Sequence, residues 1–397
     1  MSLANNVDFL RRLPKLNGFN GLGTFGRGPS QPSPLVEVTG FGSNPGDLRM
    51  FAFVPEELGR KPALVVVLHG CGQTAAGYDL GAGWSTLATR YGFALLMPQQ
   101  QSSNNAQGCF NWFNPEDTTR DHGEACSMRQ MISRMVRDHG IDEGSVFVTG
   151  LSAGGAMTSV MLATYPEVFA GGAVIAGLPY GVATNMREAL NGMFQSPSHP
   201  ASELGELVRH ASHHKGPWPK VSIWHGSADR TVNPANANEI LKQWLDVHHL
   251  PSAPMSEATV DGYPRQVWWN ADGQTIIESY TITDMAHGTP LGVADNDEHY
   301  GAQGAFLIEA GISSSYHIAN FFGLTERVHQ PQETKADASK VASVAHVASG
   351  QRQDVAKVPL PQATRHRQPE PSKHSRPRAF DVNSVITRAL TAAGLMK

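Results

Sequence analysis

SVFVTGLSAGGAMTSVMLATYP, residues 145–166, packs a strand, a sharp turn and a helix into one short stretch. Val146 to Thr149 are apolar or β-branched and read as a buried strand, while Ala153 to Tyr165 read as a helix closed by Pro166. Between them stands Gly150-Leu151-Ser152-Ala153-Gly154. A serine on so tight a strand-to-helix turn needs small residues two positions to either side, because larger side chains would meet neighbouring backbone. Its hydroxyl is left standing above the sheet. In a chain with 40 glycines the pentapeptide by itself says little, and the strand-turn-helix context carries the weight.

Outward from this stretch, residues 35–324 repeat one rhythm: a short apolar run, a glycine-rich turn, a helical segment. Leu64 to Leu68, Val221 to Trp224 and Ile276 to Ile282 are further strand candidates, so the expectation is an α/β domain on a mainly parallel sheet with helices on both faces. Composition agrees, with 40% hydrophobic residues before glycine is counted. Charged residues make up only 17% and the net charge is −4, which argues against a nucleic-acid partner. No apolar run approaches the roughly 18 residues of a membrane helix, so no integral membrane protein is expected.

The ends read differently. Residues 1–34 form a separate N-terminal segment in which Arg11 and Arg12 precede Pro14 and Lys15 rather than an apolar core, so no signal peptide is visible and a cytoplasmic location stands as one alternative. Residues 325–379 lose apolar periodicity and read as a disordered linker. Residues 380–397 place Val382, Val385, Ile386, Ala389, Leu390 and Ala393 on one stripe of a short amphipathic helix, either docked on the domain or free to contact a polymer or surface. From Thr325 onward there are 12 Lys and Arg against 6 Asp and Glu, so this tail is basic while the preceding residues are acidic.

Ser152 becomes a nucleophile only if a base takes its proton, and that base needs a carboxylate to fix its tautomer and balance its cation. Asp229 follows the strand candidate Val221 to Trp224, and His287 follows Ile276 to Ile282. Both then fall in loops at the carboxyl ends of strands, where open α/β sheets hold their sites. Asp229 could instead cap a helix starting near Pro234, with Asp261 and Asp284 as the other acids to consider. His299 lies in an acidic run, residues 295–299, that reads as a solvated loop rather than a metal site. Developing oxyanion charge needs N–H donors: Ala153, directly after the serine, and one from His69-Gly70-Cys71-Gly72-Gln73, where Cys71 is favoured and Gly72 is next. His69 is then scaffold. Three cysteines cannot make a disulfide framework, and none has zinc-site spacing. No metal or organic cofactor is called for.

Taken in order, HGCGQ, GCFNWF (residues 108–113), GLSAGG, HGSADRTV and MAHG resemble the poly(3-hydroxybutyrate) depolymerase-type esterases, relatives of feruloyl and acetylxylan esterases. The resemblance spans residues 35–324. It implies an α/β-hydrolase fold and a serine esterase in which Ser152 is the nucleophile, Asp229 the acid, His287 the base, and Cys71 with Ala153 the oxyanion donors. It also implies a polyester or oligoester substrate, with a feruloyl or acetylxylan ester as the rival, and an extracellular location. Cys71 and Cys109 both sit in family-like motifs, so a disulfide would join them and leave Cys126 free; reduced buried thiols are the alternative. Trp112, Phe113 and Trp224 flank these motifs as candidate substrate-binding aromatics, although such residues are core residues more often. A binding protein with a vestigial pocket and an active tail is the alternative of a different class.

Overall fold

A computed structural model describes residues 32–295 and 298–325. The linker and terminal helix expected over 325–379 and 380–397, and nearly all of the segment 1–34, lie outside the described residues. Ten strands form one sheet: β1 (Val36–Val38), β2 (Arg49–Phe53), β3 (Leu64–Leu68), β4 (Ala94–Gln99), β5 (Val146–Leu151), β6 (Gly171–Ile175), β7 (Lys220–Gly226), β8 (Ser256–Val260), β9 (Tyr263–Trp269) and β10 (Thr275–Ile282). Their spatial order is β1-β2-β4-β3-β5-β6-β7-β10-β9-β8. The six strands from β4 to β10 in this order run parallel. Antiparallel pairs close both edges, which the βαβ rhythm does not announce. At one edge β8 and β9 are joined through Asp261 and Gly262, both at positive φ, the requirement of a tight hairpin turn. A small parallel pair, β11 (Thr289–Leu291) with β12 (Leu307–Glu309), stands apart.

Strand β3 shows why the sheet lies in the middle. All five residues are buried, and successive side chains point to opposite faces. Leu64, Val66 and Leu68 join a core with Met128, Met157 and Trp244. Those partners come from helices α4 (Gly123–His139), α5 (Ala153–Thr164) and α8 (Ala235–Val247). Val65 and Val67 join the second core with Tyr78, Leu87 and Ile318, from α1 (Ala75–Ala82), α2 (Trp84–Tyr91) and α9 (Ser314–Phe321). Burying each such large apolar side chain contributes on the order of 1.5–3 kcal/mol. The remaining helices, α3 (Pro115–Thr118), α6 (Met186–Gln195) and α7 (Ala201–His210), complete the layers.

Helix α5 is buried at every position, with no polar face to set against solvent. It can press this close to the sheet because of its glycines: a Cβ on Gly154 would stand 2.3 Å from the Leu68 carbonyl oxygen. The helix that follows Ser152 therefore abuts the end of β3, where the loop carrying Cys71 begins. This is the architecture expected from the strand-turn-helix segment, and it is that of an α/β hydrolase.

Candidate active site

Ser152 links β5 to α5 with φ 59° and ψ −117°, a conformation costly for a residue bearing a side chain. Its N–H donates to the Ile175 carbonyl oxygen at the end of β6, 2.9 Å away. Across the next strand boundaries, Ala176 donates to Trp224 O and Ser227 donates to Ile282 O. The loops after β5, β6, β7 and β10 are thereby stitched side by side along one edge. Ser152, Asp229 and His287 occupy three of those four loops.

Asp229 and His287 are in direct contact, with His287 Nδ1 2.6 Å from Asp229 Oδ2. Close approach of their loops depends on Gly226, where an added Cβ would lie 2.3 Å from Met285 O. The Asp229 side chain is wholly buried. Burial would raise its carboxyl, but hydrogen bonds from His225 and His287 outweigh that and hold it well below the usual carboxylate range. It stays ionised at neutral pH, a negative charge in contact with His287 Nδ1. Its other oxygen, Oδ1, accepts the Thr231 and Val232 N–H groups at 2.8 and 2.9 Å. The capping role weighed for Asp229 is thus met by one oxygen, across the turn ahead of α8, while the other faces the imidazole.

Ser152 and His287 are both buried, each retaining 8% exposure. Phe306, just before β12, packs edge-on against the His287 ring at 5.7 Å. The other histidines and acids go elsewhere. Asp261 is 2.8 Å from His317 Nε2, Asp284 is exposed, and His299 is 2.7 Å from Glu309 on the surface. His69 is fully enclosed, and burial pushes its imidazole down to about 4. Its Nδ1 faces Gly70 O and its Nε2 takes the Gln100 N–H, so both ring nitrogens are occupied.

The oxyanion candidates separate by their hydrogen bonds. Gly72 already donates to Gln107 O at 2.9 Å and Gly70 to the Gln73 side chain at 2.9 Å. Among the described residues no acceptor takes the Cys71 N–H or the Ala153 N–H, the latter at the first position of α5. Cys71 is also fixed sideways by a disulfide to Cys109, with Cα atoms 4.3 Å apart, while Cys126 is a free thiol. Gln73 braces the same loop by donating to Ala305 O at 3.2 Å, next to Phe306.

One candidate is corrected. Trp224 is 0% exposed, stacked on Tyr280 at 3.8 Å, and its Nε1–H donates to Ser222 Oγ. It is a core residue and cannot meet a substrate, because its position on β7 turns it into the second core. Trp112 retains 8% exposure and sits edge-on to the half-buried Phe113, 5.5 Å away. Three residues escaped the sequence reading in any functional role: His225, Phe306 and Gln73. His225 opens the HGSAD segment that ends in Asp229 and Gln73 closes HGCGQ, so both stood inside motifs already singled out, whereas Phe306 carried no such signal.

Residues 51–259 match the sequence model of a family described as Esterase PHB depolymerase. The chain is 47% identical to poly(3-hydroxyalkanoate) depolymerase C of Paucimonas lemoignei, across 73% of this chain and 70% of that protein. It is 33% identical to an acetylxylan esterase of Coprinopsis cinerea, across 66% of this chain and 72% of the relative. Among solved structures, an acetyl xylan esterase from Aspergillus awamori superposes with a TM-score of 0.62 at 26% identity, covering 73% of this chain and 99% of the other.

Proposed function

The chain belongs to the Esterase PHB depolymerase family and is a serine-type carboxylic ester hydrolase, and from that premise we propose that Ser152, His287 and Asp229 are its nucleophile, base and acid. The observation that carries this assignment is the 2.6 Å contact between His287 Nδ1 and Asp229 Oδ2, on the same sheet edge as the strained serine turn. In the first step Ser152 Oγ attacks the ester carbonyl carbon as His287 Nε2 takes its proton. The C–O bond to the leaving alcohol then breaks, and the alcohol departs with that proton. Water, deprotonated by the same imidazole, attacks the acyl carbon, and the acid leaves as the C–Oγ bond breaks and Ser152 Oγ takes that proton back from His287. Cys71 and Ala153 N–H groups stabilise the oxyanion of both tetrahedral intermediates, each donor being worth about 3 kcal/mol.

The substrate we favour is a poly- or oligo(3-hydroxyalkanoate) ester, supported by the 47% identity to a depolymerase of that polymer class. Acetylxylan or feruloyl esters form the second reading, supported by relatives at 33% identity. The Cys71–Cys109 disulfide accords with an oxidising compartment, and we place the enzyme outside the cytoplasm. No described helix is long and apolar enough to cross a membrane.

Ser152→Ala is expected to lower kcat on a short p-nitrophenyl ester by at least about 10⁴-fold with little change in thermal midpoint. Activity close to that of the unaltered enzyme sinks the assignment. Clearing of a hydroxybutyrate polymer suspension, compared with release of acetate or ferulate from xylan, separates the two substrate readings.

A further inference from the structure

Asp229 Oδ2 has a second imidazole against it. His225, the penultimate residue of β7 and 4% exposed, brings its Nε2 to 3.2 Å from that oxygen and to 3.0 Å from the Val232 carbonyl oxygen. Neither a backbone carbonyl nor an ionised carboxylate has a hydrogen to give, so Nε2 must carry one and share it between the two. His225 Nε2 is thereby a fixed donor. With Thr231 N–H and Val232 N–H on Oδ1 and the two histidines on Oδ2, the carboxylate receives four donors.

We infer that His225 is a positioning residue for the reaction, a second histidine that aims the Asp229 carboxylate at His287 and sets how strongly it holds the imidazolium. The inference rests on the Ser152, His287 and Asp229 reading above and deepens it. A carboxylate shared with His225 is less basic than one facing His287 alone, because each donated hydrogen bond draws charge from the oxygen. Asp229 then orients His287 Nδ1–H without competing for its proton. Because the Nε2 hydrogen also reaches Val232 O, His225 locks the 225–232 loop in the geometry that directs Oδ2 outward. The titratable groups acting on Asp229 are His225, from β7, and His287, from the loop after β10; Arg230 and Asp284 in the same two loops are exposed.

Removing this donor makes Asp229 more basic and strengthens its hold on a cation at His287. The acid limb of the kcat/KM profile therefore moves to higher pH. In the full-length protein, His225→Leu is expected to shift that limb up by about half a unit to one unit, which lowers kcat/KM about three- to tenfold on the acid side of the profile and about two- to threefold near neutrality. His225→Gln, whose amide can still donate to Oδ2, is expected to keep the limb within about 0.2 units of the original. If the leucine variant does not fold, His225→Asn takes its place, being too short to reach the carboxylate.

A limb that stays where it was in the leucine or asparagine variant, or that moves equally in the glutamine variant, overturns the inference. Ser152→Ala and His287→Ala run alongside keep the two levels apart. If those two hydrolyse esters normally, the triad reading has failed whatever His225 does. When they are dead and the limb of His225→Leu is unmoved, only the role given to His225 falls.

Discussion

Asp229 divides its two oxygens between the backbone and the imidazole. Its Oδ1 holds the turn that leads to α8 and its Oδ2 faces His287, so the two demands are met by different atoms. This separation makes the residue testable without unfolding the protein. In Asp229→Asn the amide oxygen can still accept the two backbone N–H groups, while the NH2 turned towards His287 favours the tautomer whose Nε2 is already protonated. We expect kcat to fall by about 10⁴-fold with a loss of no more than about 1–2 kcal/mol in stability, checked by steady-state kinetics beside a urea titration. A variant with kcat within tenfold of the original argues that another acid holds the base. At this scale the sequence named Ser152, Asp229 and His287 from the strands that precede them, and the structure sets the last two in contact. The sequence misled at Trp224, whose neighbours in sequence are site residues but whose neighbour in space is Tyr280.

Among the elements, the loop proposed to hold the oxyanion depends on connections outside itself. Residues 69–73 follow β3, yet they are braced by Cys109, by Gln107 O and by Ala305 O, from two other segments. The disulfide closes a span of 38 residues, for which chain entropy gives roughly 4 kcal/mol of stabilisation in the simplest treatment. We expect Cys109→Ser to lower the thermal midpoint and to reduce kcat at least tenfold while KM for a short ester changes less, because a loosened Cys71 N–H affects the oxyanion more than the bound ester. Thermal melting combined with separate kcat and KM values checks this, and an unchanged kcat shows that Cys71 is not a donor or needs no brace. Kinship in motif pointed to this pair of cysteines; no rule of local structure could, since contact between the two loops depends on how β3 and β4 lie together.

At the scale of the whole molecule, a carboxylic acid lies buried with no cation beside it among the described residues. Glu124, in the first turn of α4, is fully buried and takes hydrogen bonds from Gln100 Nε2 at 2.5 Å and the Asn111 N–H at 2.9 Å. Burial, reinforced by the nearby Asp117, pushes its carboxyl up to about 8. The folded protein therefore holds a proton there that the unfolded chain releases above about pH 4.5. Stability from this group is complete below that value and is lost as pH rises towards 8, at about 1.4 kcal/mol for each unit crossed. Urea midpoints measured from about pH 5 to about pH 9 are expected to fall more steeply in the original protein than in Glu124→Gln, and parallel curves contradict the assignment. Gln100 also joins Asn104 and the Cys109 carbonyl oxygen, so the Glu124 carboxyl ties together the segments that flank residues 69–73.

What the sequence determined by itself was everything governed by short range: the serine turn demanded by its flanking residues, the buried parallel strands, and the order in which three chemical groups reach one edge. Steric limits on a few consecutive residues and the alternation of side chains along a strand are properties of the chain before it folds. Tertiary structure alone decided which groups meet across that edge. His225 against Asp229, Trp224 against Tyr280 and Glu124 without a cation all depend on the pairing of segments far apart in sequence. A register such as Trp224 opposite Tyr280 is set by the packing of both cores at once, and no single segment contains that information.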